Sequence, residues 1–303
     1  MEEQSKLIGA VPPLDWNGPI AHPCFEMGSD WLEKSVWEHF ESVAAKNPSK
    51  PALIGNSASI SYGELRRGAA LLGSQLGNCN PEKPVALVLP HSVYYPMAML
   101  ACIYAGIPYL PFDIHTPLER RKAINKQAEV QLEIDLDWVL NGLKSELQNT
   151  ENSAKPESLA YILYTSGSSG QPKGVFQNQR NLLHDVGQYI QSVHLNKDDK
   201  LSLLYHPSVN GAIRDIYGAL LTGAGLYLYD LKEQGFANLE NYLIHNSISI
   251  YHSLPTIFRG FLRLEKAFFQ KFAWCIWPVT EFWEAMPNCF NNILTNQPFY
   301  MLA

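Results

Sequence analysis

The sequence has no Cys-x-x-Cys pair, no long apolar run and no excess of positive charge. With 23 basic against 29 acidic residues, the net charge of −6 gives no basic footprint for nucleic acid or for an anionic membrane surface. No stretch reaches the roughly 18 apolar residues of a membrane span. Residues 1–30 carry Asp15 and several prolines but no apolar core, so no secretion signal is read there. The five cysteines (Cys24, Cys79, Cys102, Cys275 and Cys289) are scattered and odd in number. That usage fits buried free thiols in a reducing compartment and predicts a cytoplasmic protein. Neither an internal repeat nor a low-complexity tract is present. Glycine is missing from residues 264–303, although there are 20 before that point.

Of the 303 residues, 46% are hydrophobic and 17% charged, a globular composition with enough chain for one large or two ordinary domains. Strand patterns alternate with helical ones, which predicts an α/β fold of two lobes with largely parallel sheets flanked by helices. Ala58–Tyr62 reads as a strand running into a helix over 63–76. Leu65, Ala69, Leu72 and Leu76 lie on one face of that helix, and Ser61 and Glu64 are spaced as a capping box. Val85–Leu89 reads as a buried strand, followed by a helix through Met97 to Tyr104 that Gly106 ends. Thr116 is placed to cap a helix starting at Pro117. The boundaries that follow are an N-terminal extension (1–34), a first lobe (35–140), a polar linker or loop (141–158), a second lobe (159–263) and a divergent tail (264–303). In the second lobe the pattern gives strand 159–165, a helix near 179–193, strand 201–205, helix 212–222, strand 225–230, helix 236–245 and strand 247–252. The tail holds ten aromatic residues and shows no sustained period.

The most informative segment is Leu159-Ala-Tyr-Ile-Leu-Tyr-Thr-Ser-Gly-Ser-Ser-Gly-Gln-Pro-Lys-Gly-Val175. An apolar strand leads into Thr165, Ser166, Gly167, Ser168, Ser169 and Gly170, and Lys173 follows. Small residues let backbone N–H groups approach a phosphate closely, the hydroxyls add donors, and a lysine adds a point charge. The G-x-x-x-x-G-K-[ST] spacing of a Walker loop is absent.

This segment resembles the phosphate-binding signature of the adenylate-forming (AMP-binding) superfamily, which includes acyl-CoA synthetases, luciferases and the adenylation domains of nonribosomal peptide synthetases. Ile60-Ser-Tyr-Gly-Glu-Leu65 is similar to an earlier family motif. Ala105-Gly-Ile-Pro-Tyr-Leu-Pro-Phe-Asp113, with Pro117, Glu119 and Arg120, resembles the next and favours the peptide-synthetase branch. The resemblance covers roughly residues 35 to 262. It implies ATP with Mg²⁺ as cofactor, a carboxylic acid as substrate, and coenzyme A or a carrier protein as thiol partner. It also implies a phosphate loop formed by Thr165 to Gly170 and Lys173.

Within that branch a Phe-Asp dipeptide precedes a helix like Asp215-Ile-Tyr-Gly-Ala-Leu-Leu221, and its Asp holds the substrate's α-amino group. The match places Val209-Asn210 at the dipeptide and Arg214 where a tryptophan is often found. A neutral Asn210 cannot pair with an ammonium group as a carboxylate does. The resemblance therefore points to an aryl, hydroxy, keto or fatty acid, or to a subgroup with unusual chemistry. His206, before Pro207, matches the pocket histidine of acyl-CoA synthetases, and a histidine at a strand end also has a purely structural reading. Asn210, Arg214 and His206 are the substrate-binding candidates.

The family's later parts have no match. There is no Gly-Gly-Glu after residue 264 and no Tyr-Gly-x-Thr-Glu to bring the Mg²⁺ carboxylate, and Thr280-Glu281 follows Trp-Pro-Val instead. The ribose-binding Asp and the lid lysine also lack counterparts. Three expectations stay open: a truncated adenylation domain inactive alone, a non-catalytic module that binds nucleotide or a protein partner, and one half of a split enzyme.

Overall fold

The computed structural model describes residues 24–56, 58–146, 154–166, 172–254, 257 and 274–276. The chain opens with α1 (Val36–Lys46), begun by a capping box in which Ser35 and Glu38 satisfy each other's backbone N–H. Next come β1 (Pro51–Ile54), β2 (Ser59–Ser61) and α2 (Tyr62–Ser74). The Ser61–Glu64 capping box starts α2 as its spacing predicts. The segment continues through β3 (Val85–Leu89), α3 (Tyr94–Ala105), β4 (Tyr109–Asp113), α4 (Leu118–Gln127), β5 (Leu132–Ile134) and α5 (Leu136–Gly142). Gly106 closes α3 in the left-handed region, φ 67°, which costs a residue without a Cβ little.

The start of α4 differs from the sequence reading. Pro117, not Thr116, is the N-cap, and no side chain caps the helix. Asp113 organises this turn instead: its carbonyl accepts from the Thr116 N–H at 2.8 Å and its carboxylate from the His115 N–H at 2.9 Å. Proline has no N–H to satisfy at the boundary.

Beyond residue 158 lie β6 (Leu159–Ser166), β7 (Pro172–Asn178), α6 (Gln179–Ser192), β8 (Lys200–Leu203), α7 (Asn210–Thr222) and β9 (Gly225–Leu228). They are followed by α8 (Leu231–Gln234), α9 (Leu239–His245), β10 (Ile250–His252) and β11 (Trp274–Ile276). The helix expected over 236–245 is α9, which starts later, at Leu239; the short α8 before it, ended by Gly235 with φ 66°, was not expected. β7 was not foreseen as a strand. Its burial alternates only weakly over residues 172–175 and none of its residues is buried; pairing with β6 defines it. β11 lies in the segment read as a divergent tail and pairs in parallel with β10. Residues 277–303 lie outside the described residues.

Two sheets result. One has the order β11-β10-β8-β9-β1-β2 and the other β5-β3-β4-β6-β7. Among the described residues every pairing is parallel except β1–β2 and β6–β7. Neither sheet respects the division at 141–158. β1 from the first segment pairs with β9 from the second, Leu53 opposite Leu226. β6 pairs with β4, Tyr161 opposite Tyr109. The reason is visible in the core. α1, α2, α3, α6 and α7 pack into a single hydrophobic cluster that takes Val85, Leu87 and Leu89 from one sheet and Leu201, Leu203 and Leu226 from the other. Alternate residues of the second sheet (Ala86, Leu110, Phe112 and Ile162) face the opposite way and meet Ile124 of α4. The helices are therefore shared filling between sheets rather than coats of separate lobes.

Cys102 is buried in α3, where burial holds its thiol far above the ordinary value. Cys24 and Cys79 are free but only partly buried, against the expectation for all five. Among the described residues no helix is long and apolar enough to cross a membrane.

Candidate functional site

β6 and β7 form a hairpin whose last paired residues are Thr165 with Lys173 and Ser166 with Pro172. The pairing holds the two ends of the serine- and glycine-rich connection side by side. Gly167, Ser168, Ser169 and Gly170 lie outside the described residues. Thr165 and Lys173 are both exposed at the end of the hairpin.

Further down the same hairpin a cavity of about 390 Å³ opens, lined by Tyr161, Gln177, Asn181, His184, Asp185, Asn210 and Arg214. Its size is within the range of small-molecule pockets. Tyr161 on β6 and Gln177 on β7 are cross-strand partners. Asn181, His184 and Asp185 fall at i, i+3 and i+4 on α6, a polar stripe beside the buried Leu182, Leu183 and Val186. Asn210 and Arg214 fall at i and i+4 on α7. The stripes of the two helices meet in a bidentate ion pair, with Arg214 Nε donating to Asp185 Oδ2 at 2.9 Å and Nη2 to Oδ1 at 2.8 Å. This pairing raises the Arg214 pKa further. Burial, with the Asp185 carboxylate adding to it, pushes the Tyr161 phenol up to about 12, so it stays protonated at neutral pH. Tyr161 also stacks on Tyr109, and the Tyr109 and Tyr217 hydroxyls hydrogen-bond at 3.1 Å.

Behind α7 sits a second polar group. The Tyr189 hydroxyl donates to Asp215 at 2.8 Å, and His252 Nδ1 lies 3.0 Å from the same carboxylate. Asp215 is fully buried and His252 nearly so. A Cβ at Gly211 would come within 3.2 Å of the Tyr205 ring and 3.5 Å of His252 Cε1. A small residue therefore suits that turn of α7.

His206 belongs elsewhere. It lines a small cleft of about 50 Å³ with His91, Asp113 and Lys232, where β3, β4, β8 and β9 end. The Ser208 N–H donates to His206 Nδ1 at 3.2 Å, which makes Nδ1 an acceptor and leaves Nε2–H facing the Leu89 carbonyl at 3.4 Å. Burial lowers the His206 pKa, in keeping with this neutral tautomer. His91, half-buried beside His206, is lowered to about 4 by desolvation and by that neighbour. The structure thus brings Asn210 and Arg214 into one cavity and leaves His206 outside it. The sequence reading passed over Asp185, Gln177, Asn181 and His184. The polar stripe of α6 was the available signal for three of them. Among the described residues no group of three or more His, Cys, Asp or Glu side chains converges on a metal position.

Comparison with known proteins agrees with this architecture. The chain is 28% identical over 244 residues to tyrocidine synthase 1 of Brevibacillus parabrevis, a match covering 74% of this chain and 22% of that protein. It is 29% identical over 236 residues to delta-poly-L-ornithine synthetase of Acinetobacter baumannii, covering 72% and 18%. The chain thus spans less than a quarter of the length of either relative. Among solved structures, the N-terminal subdomain of Klebsiella oxytoca NpsA in complex with 3-hydroxybenzoyl-AMSN superposes with a TM-score of 0.75 at 20% identity, over 88% of this chain and 71% of that one. That likeness is one of fold. The model of the AMP-binding enzyme family matches residues 40–274. With well over half its length matched, the chain belongs to the AMP-binding enzyme family.

Proposed function

We propose that this chain forms the phosphate-loop and acid-binding part of an adenylation-type domain, one that activates a carboxylic acid without an α-amino group. In the reaction, an acid oxygen attacks the α-phosphorus of ATP, the bond to pyrophosphate breaks, and an acyl-adenylate remains for transfer to a thiol of coenzyme A or a carrier protein. One observation carries the reading: the Thr165–Lys173 hairpin that presents the loop also supplies Tyr161 and Gln177 to the cavity. Acid and triphosphate would then be held on a single rigid element, and positioning is a large part of such catalysis. Lys173 and the loop N–H groups would take the phosphates. Magnesium would neutralise phosphate charge when bound. Among the described residues no cluster of acidic side chains converges to hold it.

Asn210 is neutral at the position that would meet an α-amino group, which supports an acid lacking one. Aryl ligands are named for the similar NpsA structures, in line with that choice. These 303 residues hold no Tyr-Gly-x-Thr-Glu, and we propose that they do not complete the reaction unaided. The test is equilibrium titration of the chain with ATP. Lys173→Ala is expected to weaken ATP binding at least tenfold with no change in unfolding temperature, and the chain alone should give no acid-dependent exchange of pyrophosphate into ATP. Failure to bind ATP overturns the nucleotide reading, and robust exchange overturns the proposed inactivity.

A further inference from the structure

Resting on the acid-activating reading above, we propose that the cavity selects an acid whose body is uncharged and carries hydroxyl groups, and that the Asp185–Arg214 pair is the surface that recognises them. Among the described residues, one carboxylate and one guanidinium line the cavity, those of Asp185 and Arg214. They are bonded to each other through two contacts of 2.8 and 2.9 Å. A substrate ammonium group needs an unshared carboxylate, and Asp185 is engaged. A second substrate carboxylate needs an unshared cation, and Arg214 is engaged. The pair therefore presents a surface without net charge.

That surface is still rich in hydrogen-bonding capacity. A guanidinium has five N–H groups and a carboxylate about four lone-pair directions, and the pair uses two of each. Gln177, Asn181 and Asn210 add amide donors and acceptors, and the protonated Tyr161 adds a phenol. A saturated fatty chain would cover these groups without satisfying them, and each one left buried and unpaired costs binding. A hydroxyl is the small neutral group that both donates and accepts, so it meets the N–H side and the oxygen side of the pair alike. Sites built to hydrogen-bond a substrate hydroxyl reject the analogue lacking it far more strongly than apolar pockets reject a missing methylene.

The test is calorimetric titration of the 303-residue chain with 3,4-dihydroxybenzoate, benzoate, terephthalate and L-phenylalanine. The dihydroxy acid should bind at least tenfold more tightly than each of the others. Arg214→Leu should reduce that advantage over benzoate below threefold. Asp185→Asn, which keeps the side-chain shape, should release the guanidinium and raise terephthalate affinity about tenfold, a gain that mere loosening of the structure would not produce. Thermal unfolding of each variant controls for folding. Benzoate bound as tightly as the dihydroxy acid, an unchanged terephthalate affinity in Asp185→Asn, or binding of none of the four acids overturns the proposal. A parallel ATP titration separates the two ideas: a wrong acid ranking with ATP binding retained overturns the selectivity alone, whereas loss of both overturns the adenylation reading.

Discussion

Asp215 has no exposed surface, yet its carboxylate takes one bond from Tyr189 on α6 and another contact from His252 on β10. It ties together three elements that meet behind the cavity. Asp215→Ala would strand the Tyr189 hydroxyl and the His252 ring inside the core. The expected loss is on the order of 2–6 kcal/mol, about 1–3 for each stranded polar group, with Asp215→Asn losing less, as read from urea unfolding midpoints. Tyr62 offers a milder case. Its buried hydroxyl reaches the Ala219 and Ala224 carbonyls at 3.0 and 2.7 Å, and Tyr62→Phe should cost about 1–2 kcal/mol. His91 governs a pH response. Burial first, then the neighbouring His206, depress its pKa in the folded chain to about 4, while the unfolded chain titrates near 6.5. Between those values the unfolded state binds more protons, so stability is full above about pH 6.5 and falls as pH drops toward 4. His91→Gln should flatten this slope, making the variant relatively more stable at pH 5 than at pH 7 by on the order of 1–2 kcal/mol when the two unfolding curves are compared.

Among the elements, those set by local chemistry could be read from sequence, and those set by pairing could not. Ser61 and Glu64 announce α2 because the capping box lies within one helical turn. Ser61→Ala should cost about 1 kcal/mol and leave the remaining structure unchanged by circular dichroism. Gly106 marks the end of α3 for the same local reason. Thr116 misled because Asp113, three residues earlier, already organises the turn. β7 was invisible since Pro172, Lys173 and Gly174 show no strand pattern, and only the register against β6 makes them one. The cavity was half legible. Asn210 and Arg214 were found through resemblance, but Asp185 lies 29 residues from Arg214 in sequence and no local rule joins them.

For the whole molecule, the exchange of strands between sheets was the feature that local patterns could not reveal. The polar run at 141–158 looks like a boundary in sequence, yet the core on its two sides is continuous. Because β6 sits beside β4, and β1 beside β9, the segment 35–140 alone would keep β3–β5 but lose both outer partners of its sheets. That fragment should show no cooperative unfolding transition. The intact chain should unfold its two sheets together, with near-coincident curves by tryptophan fluorescence and circular dichroism. A separately folding 35–140 fragment would contradict the shared core. The same arrangement has a consequence during synthesis. β1 leaves the ribosome about 170 residues before β9, the strand it must lie against. At roughly 5–20 residues per second, the nascent β1–β2 hairpin waits about ten to thirty seconds with one edge unpaired, long enough for neighbouring nascent chains on a polysome to find it. This protein should therefore depend on a holding chaperone early in translation, and slowing the ribosome between codons 60 and 225 should lower the soluble yield.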